Sequence, residues 1–124
     1  MSKIISARIL SVILRTAFIS CVIGLAVLSL LPAQVMIRTS FGGQGEHTIA
    51  YLGTALVMGL AYRKRPRLLV QCGLLIAYAA ALEATQMFLP SRNASIQDFA
   101  ASAAGVAIGG AFLWLARDWL LGEA

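Results

Sequence analysis

The amino-acid sequence predicts an all-α integral membrane protein, a bundle of four transmembrane helices with both termini in the cytoplasm. Apolar residues make up 60% of the 124 residues and charged residues only 12%, whereas a soluble domain carries about 25% charged residues. A soluble chain of this size leaves roughly a third of its surface exposed, so lipid has to cover much of this apolar surface. Four successive apolar segments and an uneven distribution of Lys and Arg complete the prediction.

The four apolar segments predict helices near residues 10–37, 46–62, 68–89 and 97–118. In the first, residues 16–37 carry no charge; this run is longer than the roughly 7–15 residues of a signal-peptide core, so we interpret it as an uncleaved spanning helix. The second segment is short for a span, which needs about 17 residues or more. The third ends at Pro90, and the fourth places Trp114 and Trp119 near its end, as is typical of an interfacial belt.

No linker or repeat divides the sequence, so we predict a single membrane domain over residues 1–124. Cys21 and Cys72 lie inside apolar runs and form no metal-binding or redox spacing. We interpret both as packing residues.

Lys and Arg are few in the first and third connections between the predicted helices and numerous in the second connection and near the N-terminus. Only Arg38 and Arg92 fall in the first and third connections, and eight fall elsewhere: Lys3, Arg8, Arg15, Arg63, Lys64, Arg65, Arg67 and Arg117. Because basic residues concentrate in cytoplasmic segments, both termini and the second connection are predicted to be cytoplasmic. No basic face runs along the chain, so the net charge of +5 does not predict nucleic-acid binding.

This orientation collects the polar residues that are hardest to explain at the outer membrane face. They are His47, Glu83, Gln86, Arg92 and Asp98. Ionisable residues at membrane depth are costly and mark a function or a buried pair, so we predict that the five converge on one outward-facing cleft. Structural alternatives remain: His47 as an interfacial residue, Glu83 paired with Arg92, Gln86 in an interhelical hydrogen bond, and Asp98 as part of a helix cap with Ser95.

Residues Ala101, Gly105 and Gly109 recur every four positions in the fourth segment. Small residues at this spacing allow two membrane helices to approach closely. We predict a close-packing stripe with a structural role.

The same polar residues carry a resemblance. They belong to three successive patterns, Glu46-His47-x-x-x-Tyr51, Glu83-x-x-Gln86-x-x-x-Pro90-x-Arg92 and Ser95-x-x-Asp98. In these patterns the chain resembles the VanZ-like family over about residues 45–110. The family consists of small bacterial membrane proteins, one of them associated with teicoplanin resistance. The resemblance implies a multi-pass protein of the bacterial inner membrane with an outward polar cluster, and no settled reaction. The family's usual Asp-Lys pair before the histidine is Gly45-Glu46 here.

Three hypotheses about function remain open. In the first, the cluster binds or acts on an envelope lipid or lipid-linked glycan. His47 would be an acid–base group or anion ligand and Glu83 a base or a residue that orients His47. Arg92 would bind phosphate, and Asp98 would be a second carboxylate. In the second, the protein is a non-catalytic accessory protein and the cluster is a structural latch. In the third, His47, Glu83 and Asp98 hold a hard cation. The first two are favoured, so we predict no cofactor and assign no metal; the predicted partners are the lipid bilayer and a lipid-linked precursor.

Overall fold

The computed structural model describes residues 1–32, 34, 40, 42–64 and 67–120, with side chains as far as residue 116. The described residues form four α-helices and no strand: α1 (Ser2–Leu30), α2 (Gly42–Ala61), α3 (Leu68–Gln86) and α4 (Ile96–Leu120). The all-α prediction is therefore confirmed. Some of the sequence predictions fall outside the part of the chain that the structure describes. They concern the end of the first helix, Arg38, Arg65 and the side chains of Arg117 and Trp119.

Helix α3 ends earlier than the apolar pattern predicts. Its last residues close into tighter turns, in which the backbone N–H groups of Phe88 and Leu89 donate to the carbonyls of Thr85 and Gln86. Such i to i−3 bonds tighten the last turn of a helix. Pro90 disfavours the helical conformation of the residue before it, so the apolar run continues past the point where the helix stops.

Consecutive helices run in opposite directions. Near one end of the bundle, Gln86 of α3 donates a hydrogen bond to the carbonyl of Ser29 in α1 (2.9 Å). Near the other end, Gln71 of α3 donates to the carbonyl of Tyr62, directly after α2 (2.6 Å). The backbone N–H of Ser95, directly before α4, donates to Glu83 near the end of α3, and Thr48 near the start of α2 donates to Ala101 of α4. Helices α2 and α4 thus start at the same end of the bundle as the end of α3.

Three of the four helices are long and apolar enough to cross a membrane: α1, α3 and the part of α4 up to residue 116. These helices expose many large apolar side chains, as is typical of a multi-pass membrane protein. Helix α2 is not among the three. It packs against α1, α3 and α4 and buries Tyr51, Thr54, Ala55, Met58 and Ala61; because protein rather than lipid covers much of it, it needs less apolar surface.

Helices α2 and α4 make the most extensive contact in the bundle, and the small-residue stripe lies in it. A Cβ atom added at Gly105 would overlap the carbonyl oxygen of Thr48, and one at Gly109 would lie 3.0 Å from the carbonyl oxygen of Leu52. The Thr48 hydroxyl also donates to the carbonyl of Ala101 (3.1 Å). The predicted close-packing stripe is confirmed.

Candidate functional site

Three side chains from three helices meet where α2 and α4 begin and α3 ends. His47, Glu83 and Asp98 each offer one nitrogen or oxygen atom, and these atoms all lie within 4.8 Å of one another. All three residues are half-buried. We call this set the His–Glu–Asp cluster. The structure therefore brings together three of the five residues that the sequence placed at one membrane face.

A backbone contact fixes the ring of His47. Its Nδ1 lies 2.7 Å from the carbonyl oxygen of Gly43, one turn earlier in α2. A carbonyl only accepts hydrogen bonds, so Nδ1 carries a proton and donates it. The other ring nitrogen, Nε2, lies 4.0 Å from Oε1 of Glu83, which is too long for a hydrogen bond.

Glu83 joins the end of α3 to the beginning of α4. Its Oε2 accepts a hydrogen bond from the backbone N–H of Ser95 (3.0 Å), and its side chain is only 13% exposed. The sequence offered Arg92 as its partner; the contacts that the structure describes for Glu83 are with Ser95 and His47 instead. The Ser95 amide holds the Glu83 carboxylate at a small entropic cost, because a backbone N–H group loses no side-chain freedom on binding.

Asp98 lies in the first turn of α4. Its backbone N–H donates to Oγ of Ser95 (3.3 Å). This is one of the two hydrogen bonds of the predicted Ser95-x-x-Asp98 cap. In a complete capping box the acidic side chain would accept the N–H of the capping residue, but here that N–H is bonded to Glu83. The Asp98 carboxylate is thereby left to face the cluster.

The two remaining predicted residues are not among the three that define the cluster. Gln86 is 2% exposed, and its amide donates to Ser29 of α1, so it joins two helices as the structural alternative proposed. Arg92 is half-buried in the connection between α3 and α4, where its backbone N–H donates to the carbonyl of Leu89 (3.2 Å).

Sequence reasoning missed two supporting groups. Gly43 orients His47 through its carbonyl, and the Ser95 amide holds Glu83. Both residues act through backbone atoms, which every residue type has, so the identity of the residue does not indicate the contact. The Gly43 contact still follows from spacing, since the side chain at position i of a helix lies over the residue at i−4.

Comparison of the chain with protein-family models, with curated proteins and with solved structures found no match. An imidazole ring gathered with two carboxylates has the donor atoms for proton transfer or for binding a cation.

Proposed function

We propose that the chain is a VanZ-like protein of the bacterial cytoplasmic membrane that binds or acts on an envelope lipid or lipid-linked glycan at its extracytoplasmic face. All four helices would cross the bilayer, with both termini in the cytoplasm. The observation that carries the proposal is the His–Glu–Asp cluster, in which three helices bring ionisable groups within 4.8 Å of one another at one end of an apolar bundle. Ionisable residues are costly in an apolar bundle and usually mark a functional site, so we interpret their meeting as a sign of binding or reaction.

The orientation rests on charge. The described basic residues at the end of the bundle opposite the cluster include Arg63, Lys64 and Arg67, at the connection between α2 and α3. Basic residues concentrate on the cytoplasmic side, which would place the cluster on the outer side.

The surroundings of the cluster suit a ligand with a phosphate and an apolar chain. Arg92 follows α3 in the connection that also contains Ser95, and a guanidinium group binds phosphate through two parallel hydrogen bonds. Phe88 and Ile96, at the two ends of this connection, are 85% and 86% exposed. They offer an apolar surface for a lipid chain beside a polar head-group site.

Lipid binding by the purified full-length protein tests this proposal. Native mass spectrometry would compare a polyprenyl phosphate with an uncharged diacylglycerol. We expect the wild type to prefer the phosphate lipid and Arg92→Gln to lose that preference. Arg63→Gln is the matched control, because the same charge is removed at the opposite end of the bundle, and it should behave as the wild type. Equal binding of both lipids by the wild type would refute the proposal.

A structural latch is the second candidate function of the cluster, in an accessory membrane protein. The bond from Ser95 to Glu83 favours it, because this bond ties α3 to α4 as a latch would. Alanine substitution of His47, Glu83 and Asp98, with protein abundance measured beside a cell-envelope phenotype, separates the two. Abundant but inactive variants support a binding or catalytic site, and loss of the protein from the membrane supports a latch.

A further inference from the structure

We propose that the His–Glu–Asp cluster is a binding site for a divalent transition-metal ion, with Nε2 of His47 and the carboxylates of Glu83 and Asp98 as ligands. Metal binding by these residues does not depend on the proposed lipid function.

The ring of His47 is oriented as in metal sites. A metal-binding histidine usually donates its other ring N–H to a carbonyl or carboxylate, which fixes the tautomer and the ring plane. The Nδ1 contact with the Gly43 carbonyl, at 2.7 Å, is this arrangement. It leaves Nε2 directed toward Glu83, 4.0 Å from Oε1.

The distances suit ligands of a single ion. Nitrogen and oxygen ligands lie about 2.0–2.2 Å from a transition metal, so two of them are separated by about 3.4 Å at a tetrahedral angle and about 4.2 Å on opposite sides of the ion. Nε2 of His47 and Oε1 of Glu83 are 4.0 Å apart. One ring nitrogen of His47 and one carboxylate oxygen from each of Glu83 and Asp98 all lie within 4.8 Å of one another. Binding of a single ion would require side-chain rotations that bring atoms up to 4.8 Å apart within about 4.2 Å of one another.

Both carboxylates are positioned for a cation. Glu83 uses Oε2 to accept the Ser95 N–H, and Oε1 faces His47. The Ser95 N–H would otherwise occupy the carboxylate of Asp98, as in a capping box. Two carboxylates this close repel each other, and a divalent cation between them replaces that repulsion with attraction to both.

The ligand set selects the class of ion. The two carboxylates alone would suit the hard cation that the sequence favoured, and they also suit Mn²⁺. Mg²⁺ and Ca²⁺ bind almost entirely through oxygen, whereas imidazole favours Zn²⁺, Fe²⁺ and other first-row metals. The orientation of the His47 ring by Gly43 therefore changes the expected class of ion. Three protein ligands leave coordination positions for a further ligand, as in catalytic metal sites. If the proposed lipid function also holds, the ion would place a positive charge where two carboxylates alone would repel a phosphate.

Metal binding can be measured on the full-length protein in detergent after removal of metals by a chelator. The titrations use Mn²⁺, followed by electron paramagnetic resonance, and Zn²⁺, followed by equilibrium dialysis, without added lipid. We expect saturation at a single ion per chain, and a loss of affinity of about tenfold or more in His47→Gln, Glu83→Gln and Asp98→Asn. Glu46→Gln is the matched control: it removes a carboxylate next to His47 in sequence but outside the cluster, and should retain wild-type affinity.

A second measurement does not depend on the variants folding. Pulsed electron paramagnetic resonance of wild-type protein with Mn²⁺ detects coupling of the metal to an imidazole nitrogen. Absence of this coupling would overturn the proposal, as would a His47→Gln variant that binds as the wild type or a site that takes Mg²⁺ as well as Zn²⁺. Because no lipid is present, failure of lipid binding leaves these results unaffected.

Discussion

The substitution Gly105→Ala tests how closely α2 and α4 must approach each other to form the cluster. A Cβ at position 105 would overlap the carbonyl oxygen of Thr48 and lie 3.0 Å from the backbone nitrogen of Leu52 and 3.1 Å from the carbonyl carbon of Thr48. All three atoms belong to the backbone of α2, so no side chain can rotate away. Carbon contacts are optimal at about 3.5–4.0 Å, so the helices must separate by on the order of 1 Å.

Overpacking of this kind costs about 1–3 kcal/mol, and rigid backbone atoms favour the upper half of that range. Alanine gains about 1 kcal/mol over glycine within a helix, which leaves a net loss of about 1–2 kcal/mol in the free energy of unfolding. Gly73→Ala is the matched control, because Gly73 lies within α3 and a Cβ there meets no atom within 4 Å. That variant should be as stable as the wild type or up to about 1 kcal/mol more stable.

The assay is unfolding of the purified protein in mixed detergent micelles by increasing sodium dodecyl sulfate, followed by circular dichroism. Gly105→Ala should unfold at a lower dodecyl sulfate fraction than Gly73→Ala. It should also bind Mn²⁺ more weakly, because His47 precedes Thr48, the residue that has to move. If Gly105→Ala is as stable as Gly73→Ala, close backbone approach does not hold α2 against α4 and the reasoning is wrong.

Three further predictions separate stability, site geometry and topology. Gln86→Leu, which removes the buried hydrogen bond to Ser29, should lower the free energy of unfolding by about 1 kcal/mol and leave Mn²⁺ affinity unchanged; a loss of affinity would show that Gln86 belongs to the site. Ser95→Ala removes the side-chain cap of α4 and should cost about 0.5–2 kcal/mol, measured by the same unfolding assay, while the backbone bond to Glu83 persists. A reporter enzyme that is active only outside the cytoplasm, fused to the C-terminus, should be inactive; strong activity would contradict the four-span topology.

The helices and the α2–α4 contact could be predicted because each depends on a local pattern. Apolar runs bounded by basic clusters predicted four helices, and the stripe of Ala101, Gly105 and Gly109 predicted the close contact, since only residues with little or no side chain allow it. The meeting of His47, Glu83 and Asp98 followed from topology, because helices of alternating direction bring the start of α2, the end of α3 and the start of α4 to one end.

The direction of Gln86 could not be predicted in this way. Residues three positions apart on a helix differ by about 60° around its axis, which is close enough to share a face when the helix has one neighbour. Helix α3 contacts α1, α2 and α4, so that angle is enough to send Gln86 to Ser29 of α1 and Glu83 to His47 of α2. Sequence spacing indicates that two side chains lie on the same face of a helix. The number of helices packed against that face decides whether the two side chains contact the same neighbour or different ones.

The position of the cluster also explains how two carboxylates are accommodated in so apolar a protein. Helices α2 and α4 run in the same direction, and both begin at the cluster. The beginning of a helix carries a partial positive charge and unpaired N–H groups, which favour nearby carboxylates. Asp98 lies within the first turn of α4, and Glu83 accepts the N–H of Ser95, directly before that helix. Helix ends thus supply part of the compensation that lets the cluster keep two carboxylates beside the imidazole ring of His47.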